Sequence, residues 1–211
     1  IIYMNKKQLL TIFLLFMFVF LIFYPASTIK NDNIVYIKDF LTNEDFKKIS
    51  SLESDKENFI YENIRYTKPL KEKFVYDVFY DSHYINKIRD KLNNDIFKSD
   101  FPIEHRFYHK ESPGMKWHKD TLLYEEPQYE AIFTINNESS SMTQWKDGNG
   151  KLHEIWTEPN SLLVVRANGY EHHVTPPASG EREILKLIYT QTKNVNGNYH
   201  KEMLRFGKFK T

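Results

Sequence analysis

The chain has 211 residues and no cysteine, which excludes disulfides and thiolate metal sites, so any metal must be held by His, Asp or Glu. Its 29 basic and 28 acidic residues leave a formal net charge of +1. No basic block stands out, so the electrostatic footprint of a nucleic-acid partner is missing. The length predicts one domain with a real core, and an aromatic share of 16% favours strands over helices.

Leu9 to Tyr24 is an apolar run interrupted only by Thr11, with Lys6 and Lys7 before it and Pro25-Ala26-Ser27-Thr28 after it. As a helix it rises roughly 24 Å, and with its flanks it approaches the thickness of a thin bilayer. Residues 1–27 are therefore expected to form a cytoplasmic stub and one transmembrane signal-anchor helix, with Met4 as the start. A cleaved signal peptide and a buried helix are the competing readings. Lys6 and Lys7 should stay cytoplasmic, making a single-pass type II protein with a lumenal (ER/Golgi) or extracytoplasmic domain. Asn137-Glu138-Ser139 is then a glycosylation sequon.

Residues 28–33 read as a linker and 34–193 as the domain. A strand is predicted over 33–40. Thr42 then opens a helix with Phe46, Ile49 and Leu52 as its apolar stripe. Residues 53–58 read as a loop, and 59–66 and 74–80 as strands. Asp81 or Ser82 caps a second helix carrying Tyr84, Ile85, Ile88, Leu92 and Ile96. From Phe101 onward about seven strands alternate with short turns. They include 103–108, 115–118 after the Ser112-Pro113-Gly114 turn, 129–136, 161–167 and 183–191. The pair 142–145 and 152–156 flanks the hairpin signal Asp147-Gly148-Asn149-Gly150. The fold class is mainly β with flanking helices (α+β), a double-stranded β-helix or jelly-roll barrel. The tail 194–211 is polar and basic, a short helix or a mobile end.

His118 and Asp120 lie at i and i+2, on one face of an extended strand. A third ligand must come from a distant strand, and the chain offers His172 or His173, only one of which can face inward. Two histidines and a carboxylate are the donor set of the facial triad that holds non-haem Fe(II) and leaves positions open. A cation shortly after, Arg182, suits a dicarboxylate cosubstrate on the same iron.

The segment His172-His173-Val174-Thr175-Pro176-Pro177-Ala178-Ser179-Gly180-Glu181-Arg182 resembles the second-histidine segment of the prolyl 4-hydroxylase-like 2-oxoglutarate/Fe(II)-dependent dioxygenases, and His118-Lys119-Asp120 resembles their first. The resemblance spans about residues 34 to 192 and selects His172 as the ligand. It implies that His118, Asp120 and His172 hold Fe(II), with no catalytic residue beyond these ligands. Arg182 then anchors the distal carboxylate of 2-oxoglutarate, with Tyr108 as its hydroxyl partner. Lys186, of the same strand parity, shares or replaces that contact. O₂ and ascorbate complete the cofactors, and an unactivated C–H is hydroxylated as 2-oxoglutarate becomes succinate. The substrate implied is a prolyl or other peptide side chain, the alternatives being a small molecule or lipid. A metal-free jelly-roll binding module is the reading from another class.

Overall fold

The structure, a computed structural model, describes residues 33–62 and 64–207. Strands β1 (Ile34–Ile37), β2 (Ile60–Tyr61), β3 (Tyr66–Pro69), β4 (Phe97–Lys98), β5 (Glu104–Tyr108), β7 (Tyr129–Asn137), β10 (Ser161–Arg166) and β12 (Arg182–Thr190) form an eight-stranded sheet. Its order is β1-β10-β7-β12-β5-β3-β2, with β4 pairing β12. Strands β6 (Met115–His118), β8 (Thr143–Lys146), β9 (Leu152–Ile155) and β11 (His172–Val174) form a second sheet in the order β6-β11-β8-β9. All these pairs are antiparallel. Two such sheets with crossing connections are the jelly-roll arrangement expected from the turn spacing.

The period of two in each long strand divides its residues between two environments. On β7, Tyr129, Ala131, Phe133 and Ile135 join the main core, while Glu130 and Ile132 line the cavity between the sheets. On β12, Leu185, Leu187 and Tyr189 join that core, while Arg182 and Ile184 line the cavity. The core-facing residues are covered by helices α1 (Asn43–Ser50), α2 (Lys73–Phe79) and α3 (Ser82–Leu92). Thr42 caps α1 by accepting from the Asp45 N–H, and Asp81 caps α3 by accepting from the His83 N–H. Ile49 of α1 and Ile88 of α3 are fully buried in this layer.

Several expectations need correction. Helix α3 ends at Leu92, where Asn93 turns left-handed (φ +58°), so Ile96 lies beyond the helix expected to carry it. Residues 74–80 form helix α2, not a strand. Val75 and Phe79, four apart, are both completely buried, and that spacing outweighs the alternation of Phe74, Tyr76, Val78 and Tyr80. The strand expected over 59–66 is instead the β2–β3 hairpin, with Tyr61 opposite Tyr66. Asn137 and Ser139 of the sequon are also buried, although Glu138 is exposed. The Asn137 amide donates to the Thr157 carbonyl at 2.8 Å and is 5% exposed, so the folded chain does not present it for glycosylation.

Beyond residue 193, helix α4 (Gly197–Phe206) is capped by Asn196, whose side chain accepts from the Asn198 and Tyr199 N–H groups. Tyr199, Met203 and Phe206 pack on Phe101, Leu123, Tyr124 and Ile188. Among the described residues no helix is long and apolar enough to cross a membrane. The expected anchor, residues 9–24, lies outside them.

Candidate functional site

Register brings the metal-ligating side chains together. His172 of β11 is the cross-strand partner of His118 of β6, and their ring centroids are 4.4 Å apart. Asp120 follows β6, and its carbonyl accepts from the Asn168 N–H at 3.0 Å. One Asp120 oxygen lies 3.7 Å from His118 Nε2 and the other 3.5 Å from His172 Nε2. One donor atom from each of the three residues lies within 4.8 Å of the others, a spacing that suits one shared ion.

The backbone sets the tautomers. His118 Nδ1 lies 2.7 Å from the Lys116 carbonyl, and His172 Nδ1 lies 3.2 Å from the Tyr170 carbonyl. A carbonyl only accepts, so both Nδ1 atoms donate and both Nε2 lone pairs are turned towards Asp120. Burial, and then the neighbouring His118, push the His172 imidazole below its ordinary range, which favours the neutral ring a metal needs. His173 points the other way. Its Nε2 meets Gln144 Oε1 at 2.6 Å and its ring lies 4.1 Å from that of Trp117.

Gly114 makes the β6–β11 approach possible. Its φ is +68°, and a Cβ there would run into the Val174 carbonyl oxygen. Gly180 has φ +70°, and a side chain there would meet the Glu138 carbonyl just before β12 delivers Arg182.

Tyr108 and Arg182 are register partners on β5 and β12, and both line the cavity that contains His118, Asp120 and His172. Arg182 is 4% exposed, its Nε is buried with no hydrogen-bond partner, and no described carboxylate lies within 4.0 Å of it. Burial accordingly pulls its guanidinium below the usual arginine range. Burial pushes the Tyr108 phenol up, but Arg65, Arg106 and Arg182 outweigh it and leave the phenol below its ordinary value. Tyr108 Oη donates to the Met115 sulfur at 3.8 Å, and the Arg106 side chain also bonds to the phenol. Lys186 is placed differently. It is not among the cavity-lining residues, and its ammonium is 2.7 Å from a buried Glu130 oxygen.

Sequence reasoning missed Arg106, Glu104, Glu130 and Arg65. Arg106 lines the cavity and donates from Nε and Nη2 to one oxygen of the fully buried Glu104, at 3.1 and 2.9 Å. Glu104 and Arg106 share the strand parity of Tyr108, and charged residues at inward positions of a strand were the available signal.

No family model matches the chain, and no curated protein matches it. Solved structures do. A 2OG-Fe(II) oxygenase-family oxidoreductase from Burkholderia pseudomallei superposes with TM-score 0.67 at 10% identity, covering 81% of this chain and 90% of that one. The fold is that of the 2-oxoglutarate- and Fe(II)-dependent oxygenases. A prolyl hydroxylase from Trichoplax adhaerens, in complex with a hypoxia inducible factor oxygen degradation domain peptide, shares this oxygenase fold with TM-score 0.59 and 14% identity over 88% and 93% of the two chains. HygX from Streptomyces hygroscopicus, with nickel, 2-oxoglutarate and hygromycin B bound, shares it with TM-score 0.58 and 10% identity over 90% and 88%. At such identities the oxygenase fold is common ground, and the chemistry rests on this chain's own residues.

Proposed function

We propose that this protein is an Fe(II)- and 2-oxoglutarate-dependent dioxygenase that hydroxylates an unactivated C–H of a prolyl or other peptide side chain. The single observation that carries the reading is Arg182, a buried cation without a described counter-ion, in the same cavity as a two-histidine, one-carboxylate cluster. A desolvated cation of this kind needs an anion. Fe(II) brings two positive charges, Asp120 removes one and Arg182 adds one. A dicarboxylate therefore leaves the site neutral, while the Glu104–Arg106 and Glu130–Lys186 pairs balance themselves.

His118, Asp120 and His172 would hold the metal, and Arg182 would take the distal carboxylate of 2-oxoglutarate beside the Tyr108 hydroxyl. Bound iron with O₂ and 2-oxoglutarate supplies oxidative decarboxylation to succinate and CO₂ coupled to hydroxylation, with ascorbate as the maintaining reductant. The protein's part is orientation and exclusion of water. The Lys116 and Tyr170 carbonyls fix both imidazoles, and Met115, Ile132, Leu163, Val165, Val174 and Ile184 supply apolar walls. None of the three ligands needs to move a proton.

The peptide reading is supported by the sequence resemblance and by the fold shared with a peptide-bound prolyl hydroxylase. HygX, with hygromycin B bound, gives the small-molecule alternative its footing. The apolar run Leu9–Tyr24 would tether residues 34–193 to a membrane, with Lys6 and Lys7 cytoplasmic and the domain lumenal or extracytoplasmic. Protease protection of tagged chain in sealed microsomes tests that orientation.

The full chain in detergent, supplied with Fe(II), ascorbate and 2-oxoglutarate, is offered a peptide library in one arm and metabolites in another. Succinate above the His118→Ala background in one arm identifies the substrate class. A purified protein with no iron, and no gain in melting temperature with Fe(II) plus 2-oxoglutarate, would point to the metal-free binding module instead.

A further inference from the structure

Resting on that reading, the geometry points to Arg205, on the C-terminal helix α4, as a positioning residue for the distal-carboxylate end of the cavity. One guanidinium ties together the two carboxylates that hold the cations around Tyr108. Arg205 Nη2 is 3.0 Å from Glu104 Oε1, and Arg205 Nη1 is 3.5 Å from Glu62 Oε2.

Each carboxylate continues inward. Glu104 Oε2 accepts from Arg106, so its two oxygens serve one guanidinium each. Glu62 Oε2 lies 3.7 Å from Arg65 Nη2 and accepts from the Thr67 hydroxyl at 2.9 Å. Both branches end at one phenol. Arg65 Cζ is 6.0 Å from the centre of the Tyr108 ring, and Arg106 lies two residues before Tyr108 on the same face of β5. Tyr108 is the register partner of Arg182.

Three guanidiniums crowd this corner, and like charges repel strongly where little water screens them. Glu104 and Glu62 neutralise two of them and leave Arg182 as the open anion site. Glu104 is completely buried, so without Arg205 one of its oxygens loses its hydrogen-bond partner among the described residues, and a half-satisfied buried carboxylate competes for the nearest cation. Glu62 would at the same time be left with Arg65 at 3.7 Å and Thr67, and Arg65 already carries a buried Nε without an acceptor. Arg205 thus spans α4, the β2–β3 hairpin and β5, and holds the cation arrangement that a distal carboxylate meets. None of these residues is a metal ligand, so the effect belongs to that end of the cavity alone.

The test is calorimetric titration of Mn(II)-loaded full-length protein in detergent with 2-oxoglutarate and, separately, with 2-oxobutyrate, which keeps the 2-oxo acid head but lacks the distal carboxylate. Arg205→Met should weaken 2-oxoglutarate binding about tenfold, with Mn(II) and 2-oxobutyrate affinities within about twofold of wild type. Arg205→Lys, which cannot fork to both carboxylates, should fall between. Equal 2-oxoglutarate affinity in wild type and Arg205→Met overturns the inference. Equal weakening of both 2-oxo acids also overturns it, because that is general structural damage. If Arg205→Met does not fold, Glu62→Gln decides by the same comparison, since it removes the outer branch and retains an acceptor for Thr67. A wild type that binds no 2-oxoglutarate defeats the proposed cosubstrate itself, a result separable from these.

Discussion

Arg182 of β12 sits opposite Tyr108 of β5 as its register partner, and its buried Nε has no acceptor among the described residues. The cost of holding that cation out of water is borne by the ligand-free fold and recovered only when an anion arrives. Arg182→Met should therefore raise the stability of the ligand-free protein by about 1 kcal/mol or more. The same substitution should weaken 2-oxoglutarate binding about 100-fold, in line with loss of a buried charge partner. Thermal denaturation and calorimetric titration read the two effects, and a destabilised variant with normal cosubstrate affinity contradicts the assignment.

The two adjacent histidines should separate cleanly. His172→Ala removes an Nε2 turned towards Asp120, whereas His173→Ala removes a ring held outside by Gln144 and Trp117. Saturating Fe(II) plus 2-oxoglutarate under anaerobic conditions should raise the wild-type melting temperature by roughly 5–10 °C. That gain should persist in His173→Ala and vanish in His172→Ala, His118→Ala and Asp120→Ala.

Gly114 should tolerate no side chain. Gly114→Ala places a Cβ against the Val174 carbonyl at a φ of +68°, at a cost of about 1–3 kcal/mol. If relief comes from parting β6 and β11, His118 and His172 lose their register, and metal affinity falls with stability. Denaturant titration paired with metal titration measures both. Normal metal affinity in a destabilised variant would show that the strain is absorbed elsewhere.

Acid should act through Glu104. Burial pushes this carboxyl up, but Arg106, Lys186 and Arg205 outweigh it and bring it down to about 2 from an ordinary 4.5. A folded-state value below the unfolded one means the stabilisation is complete above 4.5 and is lost as pH falls towards 2. Glu104→Gln strands buried cations and should cost about 3 kcal/mol or more at pH 7. It should also flatten the stability curve between pH 4.5 and 2 relative to wild type, which chemical denaturation across that range measures.

Much of the architecture was legible where one residue alone decides an element. Thr42 and Asp81 mark helix starts, and Asp147 to Gly150 marks the β8–β9 hairpin, because caps and tight turns depend on local backbone chemistry. Residues 74–80 are ambiguous in the sequence because Phe, Val and Tyr in alternation satisfy periods of two and of about four at once. Only packing of Val75 and Phe79 in the layer over the sheet separates the two.

By itself the sequence determined the donor types, since a chain without cysteine that carries His118, Asp120 and the His172–His173 pair has one obvious nitrogen–oxygen set. The i, i+2 spacing kept Asp120 within reach of His118, although Asp120 lies just beyond the end of β6. The family resemblance already favours His172 over His173, and the register of β11 on β6 agrees with it; tertiary structure alone decided that Lys186 is engaged by Glu130 while Arg182 is not, and that Arg205 reaches a glutamate about a hundred residues earlier in the chain. The physical reason is range. Backbone preference and side-chain parity act over a few residues, whereas counter-ion choice depends on which distant strands a fold lays side by side, and on how much water it leaves between them.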